Sequence, residues 1–390
     1  MVGSDDIVIP NSTAWLADPA AQLLCETIEA EGYKAYFVGG CVRNAILNEP
    51  NSDVDLSTDA APREVMHLAR KADFQAIPTG IEFGTVTVIV DGKPFEVTTF
   101  RKDVETDGRR AVVSFSDQIE DDARRRDFTM NALYADRSGH LIDPLGGLQD
   151  AMNRRLRFID DPVQRIREDY LRILRFFRFF AWYADPGEGA DPEALNAIAN
   201  LADHLGALSV ERVGAEMIKL LSAPDPLMAL RLMERTGVLA QVLPGAAVDL
   251  IGPLLLVEEH LEINPEPIRR LAALGVQDAK AQLRLSNAQS KELKNLHEML
   301  AMGTGPRAIG FLLGRTSGAS AVALDYAMRA QVPDKTVIEM VDDGSRAQFP
   351  VSSKDLAGQY SGPALGKKLH ELQSKWLASD LSLSAEQLLG

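Results

Sequence analysis

Gly39-Gly40-x-x-Arg43 is followed ten residues later by Asp53-x-Asp55. A glycine pair between an apolar strand, Tyr36-Phe37-Val38, and a helix lets backbone N–H groups approach phosphates at the helix N-terminus. Arg43, one turn into that helix, can add a bidentate phosphate contact. Asp53 and Asp55 are i and i+2 on a predicted strand, so both carboxylates point to one face, and paired carboxylates suit a divalent cation. Glu96, on the second strand of a predicted hairpin, is positioned by that pattern as a third carboxylate. The set suits phosphoryl or nucleotidyl transfer with two metals about 3.5–4 Å apart. Each piece alone is more often structural; the ordered combination points to chemistry.

A second constellation is Arg124-Arg125-Arg126-Asp127-Phe128-Thr129-Met130-Asn131. Rigid guanidinium donors beside the acceptors Asp127 and Asn131 suit the grip of a triphosphate and the sensing of a ribose hydroxyl, against the plainer reading of a solvated basic cluster. The third is Glu168-Asp169-x-x-Arg172-x-x-Arg175-x-x-Arg178. On a continuous helix Asp169 and Arg172 share a face. A carboxylate only accepts and a guanidinium only donates. Such a pair matches the amine and ring nitrogen that cytosine and adenine both present, and rejects the reversed order of guanine and uracil. An ordinary salt-bridged helix surface is the rival explanation.

The elements that must hold these residues change character along the chain. Residues 33–150 read as a mixed α/β unit, with strands near 36–38, 53–56, 112–115, 132–135 and 140–142. A hairpin of 84–90 and 95–100 turns at Asp91-Gly92-Lys93-Pro94. Beyond about residue 150 helical periodicity takes over. Asp161 caps a helix with Pro162 in its first turn, followed by the apolar stripe Ile166, Tyr170, Ile173, Leu174, Phe177 and Ala181. Ser209 caps the next, with Val210, Val213, Met217, Leu220 and Leu221 inward. Amphipathic segments continue to the end, broken near Pro244-Gly245, Gly303 to Pro306 and Pro350. The expected architecture is an α/β head, a mixed sheet with helices, followed by an all-α neck, body and tail. The segments are a helical 1–32, a head 33–150, a neck 151–222 and a body and tail 223–390.

The 390 residues are 46% hydrophobic and 25% charged, a globular composition that excludes disordered and fibrous classes. No apolar run approaches the roughly 20 residues that span a bilayer, so no membrane role is expected. The acidic start, Met1 to Asp6, lacks the apolar core of a secretory signal. Only Cys25 and Cys41 are present, without a Cys-x-x-Cys pair, which fits a reducing cytoplasm. Cys41 reads as a small buried filler, and no two of the six histidines make metal-ligand spacing. The net charge of −15 argues against a polyanionic partner only on average. Residues 154–178 carry eight arginines against four acids, and 269–294 six basic residues against two acidic, enough for basic stripes. Residues 361–368, Ser-Gly-Pro-Ala-Leu-Gly-Lys-Lys, read as a turn opening a helix that can also offer two lysines to an RNA phosphate.

In this order the three constellations resemble the class II tRNA nucleotidyltransferases, the bacterial CCA-adding enzymes with their poly(A) polymerase relatives. The likeness covers about residues 33–222, most closely Arg125-Arg126-Asp127-Phe128-Thr129-Met130-Asn131-Ala132. It implies that Gly39, Gly40 and Arg43 hold nucleotide phosphates, that Asp53 and Asp55 bind catalytic magnesium (Mg2+), and that Glu96 is the third carboxylate. Arg125 and Arg126 fall on the nucleotide-contacting arginines, and Asp127 and Asn131 on the ribose site. Asp169 and Arg172 fall on the protein template for C and A, with Arg175 and Arg178 continuing the arginine series. Residues 209–213 resemble the helix that buttresses the neck.

Two positions depart from the pattern. The family's Arg-Asp is Arg43-Asn44 here, and the segment 101–123 matches the family's flexible loop only through Asp107-Gly108-Arg109-Arg110. The absence of any His-Asp dipeptide argues against an added metal-dependent phosphohydrolase domain. The resulting expectation is a cytoplasmic, magnesium-dependent enzyme that adds CCA to the 3′ end of tRNA from CTP and ATP, with no obligate protein partner evident. A CC-adding or A-adding enzyme, a poly(A) polymerase, and a non-catalytic RNA-binding protein stand as alternatives.

Overall fold

The computed structural model describes residues 7–50, 53–107, 110–277 and 279–390. The acidic start and the Gly108-Arg109 pair lie outside the described residues. The chain divides into two compact units, the first ending at Leu205 and the second beginning at Gly206.

The first unit is built on a seven-stranded mixed sheet. Its strands are β1 Ala35–Val38, β2 Asp55–Thr58, β3 Gln75–Gly80, β4 Thr85–Val90, β5 Lys93–Thr99, β8 Tyr134–Ala135 and β9 Leu141–Ile142, in the order β3-β4-β5-β2-β1-β8-β9. Among the described residues only the β2–β5 pair of this sheet is parallel. The predicted hairpin forms with a two-residue turn: Val90 pairs with Lys93, and Asp91 and Gly92 both take positive φ, as a type I′ turn demands. A separate two-stranded ribbon, β6 Arg101–Asp107 with β7 Arg110–Phe115, occupies most of the segment expected as a flexible loop.

Helices α1 Pro19–Glu29, α2 Gly40–Leu47, α3 Pro62–Lys71, α4 Ile119–Arg124 and α5 Leu148–Met152 accompany these strands. Asp18 starts α1 by accepting from Ala20 N–H, with Pro19 in the first turn, and Asp161 starts α6 Pro162–Glu168 in the same way through Gln164 N–H. Then α7 Leu171–Tyr183 and α8 Pro192–Leu201 complete the unit.

Two sequence expectations change here. Asp53 precedes β2 instead of lying in it. β1 ends at Val38, opposite Asp55, because the chain turns into α2 at Gly39, and in the parallel register Asp53 would fall opposite Pro94, which has no N–H to give. The helix expected to run through Asp169 is broken there: Asp169 is extended at φ −153, and its carboxylate accepts from Leu171 N–H at 3.1 Å to begin α7. A short acceptor side chain competes with the helical ladder in this way. The carbonyl of Arg165, which a continuous helix would bond to Asp169 N–H, takes the Arg172 guanidinium at 2.8 Å instead.

The second unit is helical: α9 Val210–Leu221, α10 Leu227–Arg235, α11 Val238–Val242, α12 Ile251–His260, α13 Pro267–Ala273, α14 Lys280–Leu283, α15 Asn287–Met302, α16 Pro306–Met328, α17 Thr336–Arg346, α18 Ser353–Leu356, α19 Gly362–Ala378 and α20 Ala385–Leu389. Ser209 precedes α9, but its side chain makes no capping bond. Gly214 lets α9 lie against α14, since a Cβ there would meet the Leu283 carbonyl oxygen at 1.9 Å. Residue 361 precedes α19, as the turn reading anticipates. The basic stripe expected at 269–294 loses its first two members. Arg269 and Arg270 are buried and share Glu258, at 2.7 Å each, and Arg270 also donates to the carbonyls of Leu221, at the end of α9, and of Ala223 and Pro224 beyond it. A buried guanidinium keeps its charge only by such pairing.

Candidate active site

One row of directly paired residues crosses the sheet: Thr87, Glu96, Asp55, Val38, Tyr134 and Ile142. Paired residues share a face. The row runs from the exposed Glu96 through a half-buried Asp55 to the buried Val38 and Tyr134. Asp55 therefore stands where the covered half of the sheet gives way to the open half. Burial raises its carboxyl to about 6; the charges of Glu96 and Asp53 push the same way, and Arg126 opposes them. The exposed Asp53 is thus near enough for its charge to be felt at Asp55.

Arg126 covers the inner part of this face. It donates to Asp122 at 3.1 Å, to the Tyr134 hydroxyl at 3.2 Å and to Ser57 at 3.4 Å, Ser57 being two residues beyond Asp55 on β2. Arg125 binds the other oxygen of Asp122 at 2.7 Å, and the Tyr134 hydroxyl donates to the first at 2.7 Å. Asp122 is fully buried. Burial alone would raise its carboxyl, but Arg125 and Arg126 outweigh that and hold it at about 2. Asp122 and Tyr134 went unnoticed in the sequence, although Asp122 sits at i−3 and i−4 from the two arginines, the helical spacing that signals such a clamp.

Gly39 closes the other side. Its φ of +72 is one that L side chains rarely adopt, and a Cβ there would lie 3.3 Å from the Arg126 guanidinium. The N-terminal turn of α2, the Arg126 guanidinium and Asp55 consequently adjoin, as phosphate binding beside a metal site requires.

Arg43, expected at a phosphate, makes its hydrogen bonds within the protein. It is 4% exposed and donates to the amide oxygens of Asn131 and Asn44, the latter at 2.8 and 3.1 Å. Its guanidinium lies over the Tyr183 ring, 3.9 Å from the centroid, and 5.1 Å from that of Phe179. Desolvation lowers its pKa, while Tyr183 and Asp127 counter that and Arg178 adds to it. Asn44 thus supplies geometry where the family's aspartate would also supply charge. Asp127 and Asn131 are likewise buried. Asn131 donates to Asp127 at 2.9 Å, Phe128 N–H donates to the same oxygen at 2.9 Å, and Arg175 takes the other at 2.7 Å. Burial would raise the Asp127 carboxyl, but Arg175 and Asn131 hold it well below the usual range. The ribose-sensing pair expected from the sequence is therefore occupied with internal bonds that tie the head to α7, because the side chains close on one another once the backbone at 127–129 pairs with 157–159.

Arg172 donates to Glu168 and, at 2.9 Å, to the Arg125 carbonyl, while Arg165 donates to Glu168 and to the Arg126 carbonyl at 3.0 Å. Both neck arginines thereby grip the backbone of the arginine motif. Asp169 and Arg172 flank the break between α6 and α7, both half-buried, and Arg178 lies over the Phe179 ring at 4.4 Å.

The donors at the sheet rim are all carboxylates, hard oxygens of the kind a divalent cation prefers. The Asp55 carboxyl is raised by burial and then by the charges of Glu96 and Asp53, and a cation would favour its ionised form. Among the described residues no three His, Cys, Asp or Glu side chains already converge at metal-ligand spacing. A cleft of about 830 Å³ lined by Arg124, Arg155, Arg157 and Asp160 does not include Asp53, Asp55 or Glu96. No helix of the described residues is long and apolar enough to cross a membrane.

Residues 35–157 match the family model of the poly A polymerase head domain, and residues 190–250 that of a probable RNA and SrmB-binding site of polymerase A. The mitochondrial CCA tRNA nucleotidyltransferase 1 of Mus musculus is 32% identical over 94% of this chain and 88% of its own. The CCA-adding enzyme of Geobacillus stearothermophilus is 41% identical over 57% of this chain and 54% of its own. Among solved structures, the Bacillus stearothermophilus CCA-adding enzyme in complex with CTP superposes with a TM-score of 0.76 at 30% identity, covering 93% of this chain and 94% of that one. The Thermotoga maritima CCA-adding enzyme complexed with tRNA has a TM-score of 0.68 at 19% identity, covering 98% and 97%, and shares the fold.

Proposed function

Because this chain belongs to the class II tRNA nucleotidyltransferases, we infer that it adds CCA to the 3′ end of tRNA, using CTP and ATP without a nucleic-acid template and releasing pyrophosphate. The observation that carries the chemistry is the rung Glu96–Asp55 beside Arg126 and the Gly39 turn. The tRNA 3′-hydroxyl attacks the α-phosphate of the bound nucleotide, and pyrophosphate leaves. Enzymes of this family use a divalent metal. We assign magnesium to Asp53 and Asp55, with Glu96 as the third carboxylate, and when bound it activates the hydroxyl and offsets phosphate charge.

Arg126, held by Asp122, neutralises the triphosphate, and the N–H groups around Gly39 and Gly40 receive phosphate oxygens. Arg125 supports it from the same clamp. Asp169 and Arg172 choose the base, Asp169 accepting from the amine and Arg172 donating to the ring nitrogen; this requires each to exchange its internal bond for the base. Arg43, Asp127, Asn131 and Arg175 set the distance between head and α7, with Arg178 beside them. The segment 151–222 acts as the nucleotide-selecting neck, and 223–390 binds the tRNA by shape and phosphate contact, as A-form RNA requires. Cys25 and Cys41 are free and buried, which fits a reducing compartment; we place the chain in the cytoplasm.

Nucleotide incorporation by the purified chain, with tRNAs ending before the tail, after C and after CC, tests the reading. Two Cs and one A, then arrest, is the expected outcome. Addition of C alone or A alone would assign it half of a split pathway, and long A tracts a poly(A) polymerase. No incorporation with magnesium would favour the binding-protein alternative.

A further inference from the structure

Besides the packing of Phe176 and Phe179 on Phe128, helix α7 is fastened to the head through charged side chains at three places. At its start Arg172 donates to the Arg125 carbonyl, and one turn on Arg175 grips Asp127. At its last residue, eleven positions beyond Arg172, Tyr183 lays its ring against Arg43 of α2 at 3.9 Å. The first two fastenings are directional bonds. The third is the face of an aromatic ring on a cation.

Arg43 cannot move to follow the ring. It is 4% exposed, and among the described residues its hydrogen-bond partners are two amide oxygens, that of its neighbour Asn44 and that of Asn131 in the arginine motif. Asn131 is fixed in turn by Asp127, the residue that Arg175 holds. The middle and far fastenings of α7 therefore end on one chain, Arg43–Asn131–Asp127–Arg175, whose first three members are buried. With α7 pinned at Arg175, near its start, a shift at Tyr183 tilts the helix and displaces Arg172, about 4.5 Å to the other side of that pin along the axis, in the opposite sense and by a smaller amount.

We propose that Tyr183 is a positioning residue for base choice: its ring, seated on the neutral-partnered Arg43, sets the tilt of α7 and with it the place of Arg172. The inference rests on the assignment of base choice to Asp169 and Arg172. The ring of Tyr183 lies against Arg43 and Phe179. Its hydroxyl is dispensable on this view, since the contact is made by the ring face.

The test compares Tyr183→Leu, Tyr183→Phe and Arg172→Ala in the full chain, measuring the ratio of UTP to CTP incorporation into a tRNA ending before the tail, with a thermal melt for each. Tyr183→Leu should raise the UTP:CTP ratio about tenfold, and Tyr183→Phe should stay within about twofold of the parent, because the ring face survives. Adding Asn44→Asp to Tyr183→Leu should recover melting temperature but not the ratio, because a carboxylate beside Arg43 restores charge pairing without tying α7. A Tyr183→Leu protein that melts lower yet keeps the parental ratio, while Arg172→Ala raises it, makes Tyr183 ordinary packing and overturns the inference. Recovery of the ratio by Asn44→Asp overturns it as well. If Arg172→Ala leaves the ratio unchanged, the base-choice assignment falls first and takes this inference with it.

Discussion

Asp55 and Glu96 face each other across the one parallel pairing of the sheet, the first residue of β2 against the middle of β5. Carboxylates on facing positions repel. Burial first, and that repulsion after it, raise the Asp55 carboxyl to about 6. The protein accepts a local cost at the place where we propose that a cation binds, the usual opposition of stability and activity.

The cost has a sign that can be measured. A raised folded-state pKa in an acid disfavours the charged form, so the penalty is full above pH 6, shrinks as the pH falls from 6 and is gone below the ordinary value of 3.8. Asp55→Asn in metal-free protein should therefore stabilise by about 1–2 kcal/mol at pH 8, with allowance for solvent access, and give no gain near pH 4. Nucleotide incorporation should be lost in the same variant, while salt-sensitive tRNA binding persists. Denaturant titrations at the two pH values, beside a filter-binding assay, decide it.

Metal binding should follow the same group. A cation binds the ionised carboxylate, so protons compete. The apparent magnesium affinity read from incorporation rates should hold steady above pH 6 and weaken about tenfold per unit below it. A flat profile from pH 7 to 5 would remove Asp55 from the metal site.

Asp122 shows the reverse sign. Its carboxyl is held at about 2, so the stability it contributes is complete above pH 3.8 and is lost as the pH falls from 3.8 towards 2. Asp122→Asn leaves Arg125 and Arg126 facing a neutral amide in a buried site. It should cost about 3–5 kcal/mol at pH 7, a deficit that narrows below pH 3.8. The KM for CTP should rise with it, since Arg126 loses its anchor. Equal stability of the two proteins at pH 7 would rule out the clamp.

Base choice should respond to either member of the proposed pair. Arg172→Ala and Asp169→Ala should each erode the preference for CTP over UTP by about 1–3 kcal/mol, the range of one good base contact. Asp169→Ala also removes the bond that begins α7, so its melting temperature should fall. Asp169→Ser, which keeps a short acceptor for Leu171 N–H, should recover the melting temperature without the selectivity.

In the second unit, Glu258→Gln should destabilise by about 3–5 kcal/mol, because Arg269 and Arg270 would be left buried without a counter-charge. Urea unfolding measures it; a change below about 1 kcal/mol would mean that the carbonyls around Arg270 suffice.

Much of this molecule was legible from residue order. The Asp-Pro start at Asp161, the Asp91-Gly92 turn and the glycine entry to α2 are decided by neighbours within a few positions, and all formed as local rules require. The facing of Glu96 and Asp55 was also within reach, because alternation along two strands leaves one choice of face. What order could not convey was which charges end up enclosed. Arg43, Arg269 and Arg270 look like surface cations in the sequence, and each is buried.

The types, order and spacing of the three motifs, and hence the family and its chemistry, were determined by the sequence alone, since they depend on which groups exist and on short-range periodicity. Tertiary structure decided their employment. Asn131 meets Arg43 across 88 positions, and Asp127 meets Arg175 across 48. Such pairings form only when a sheet and a helix have already been brought together by apolar burial, here the rings of Phe128, Phe158, Phe176 and Phe179. Whether an arginine faces a phosphate or braces a helix is set by that long-range packing, because desolvation leaves a buried charge no option but the partners the fold has placed beside it.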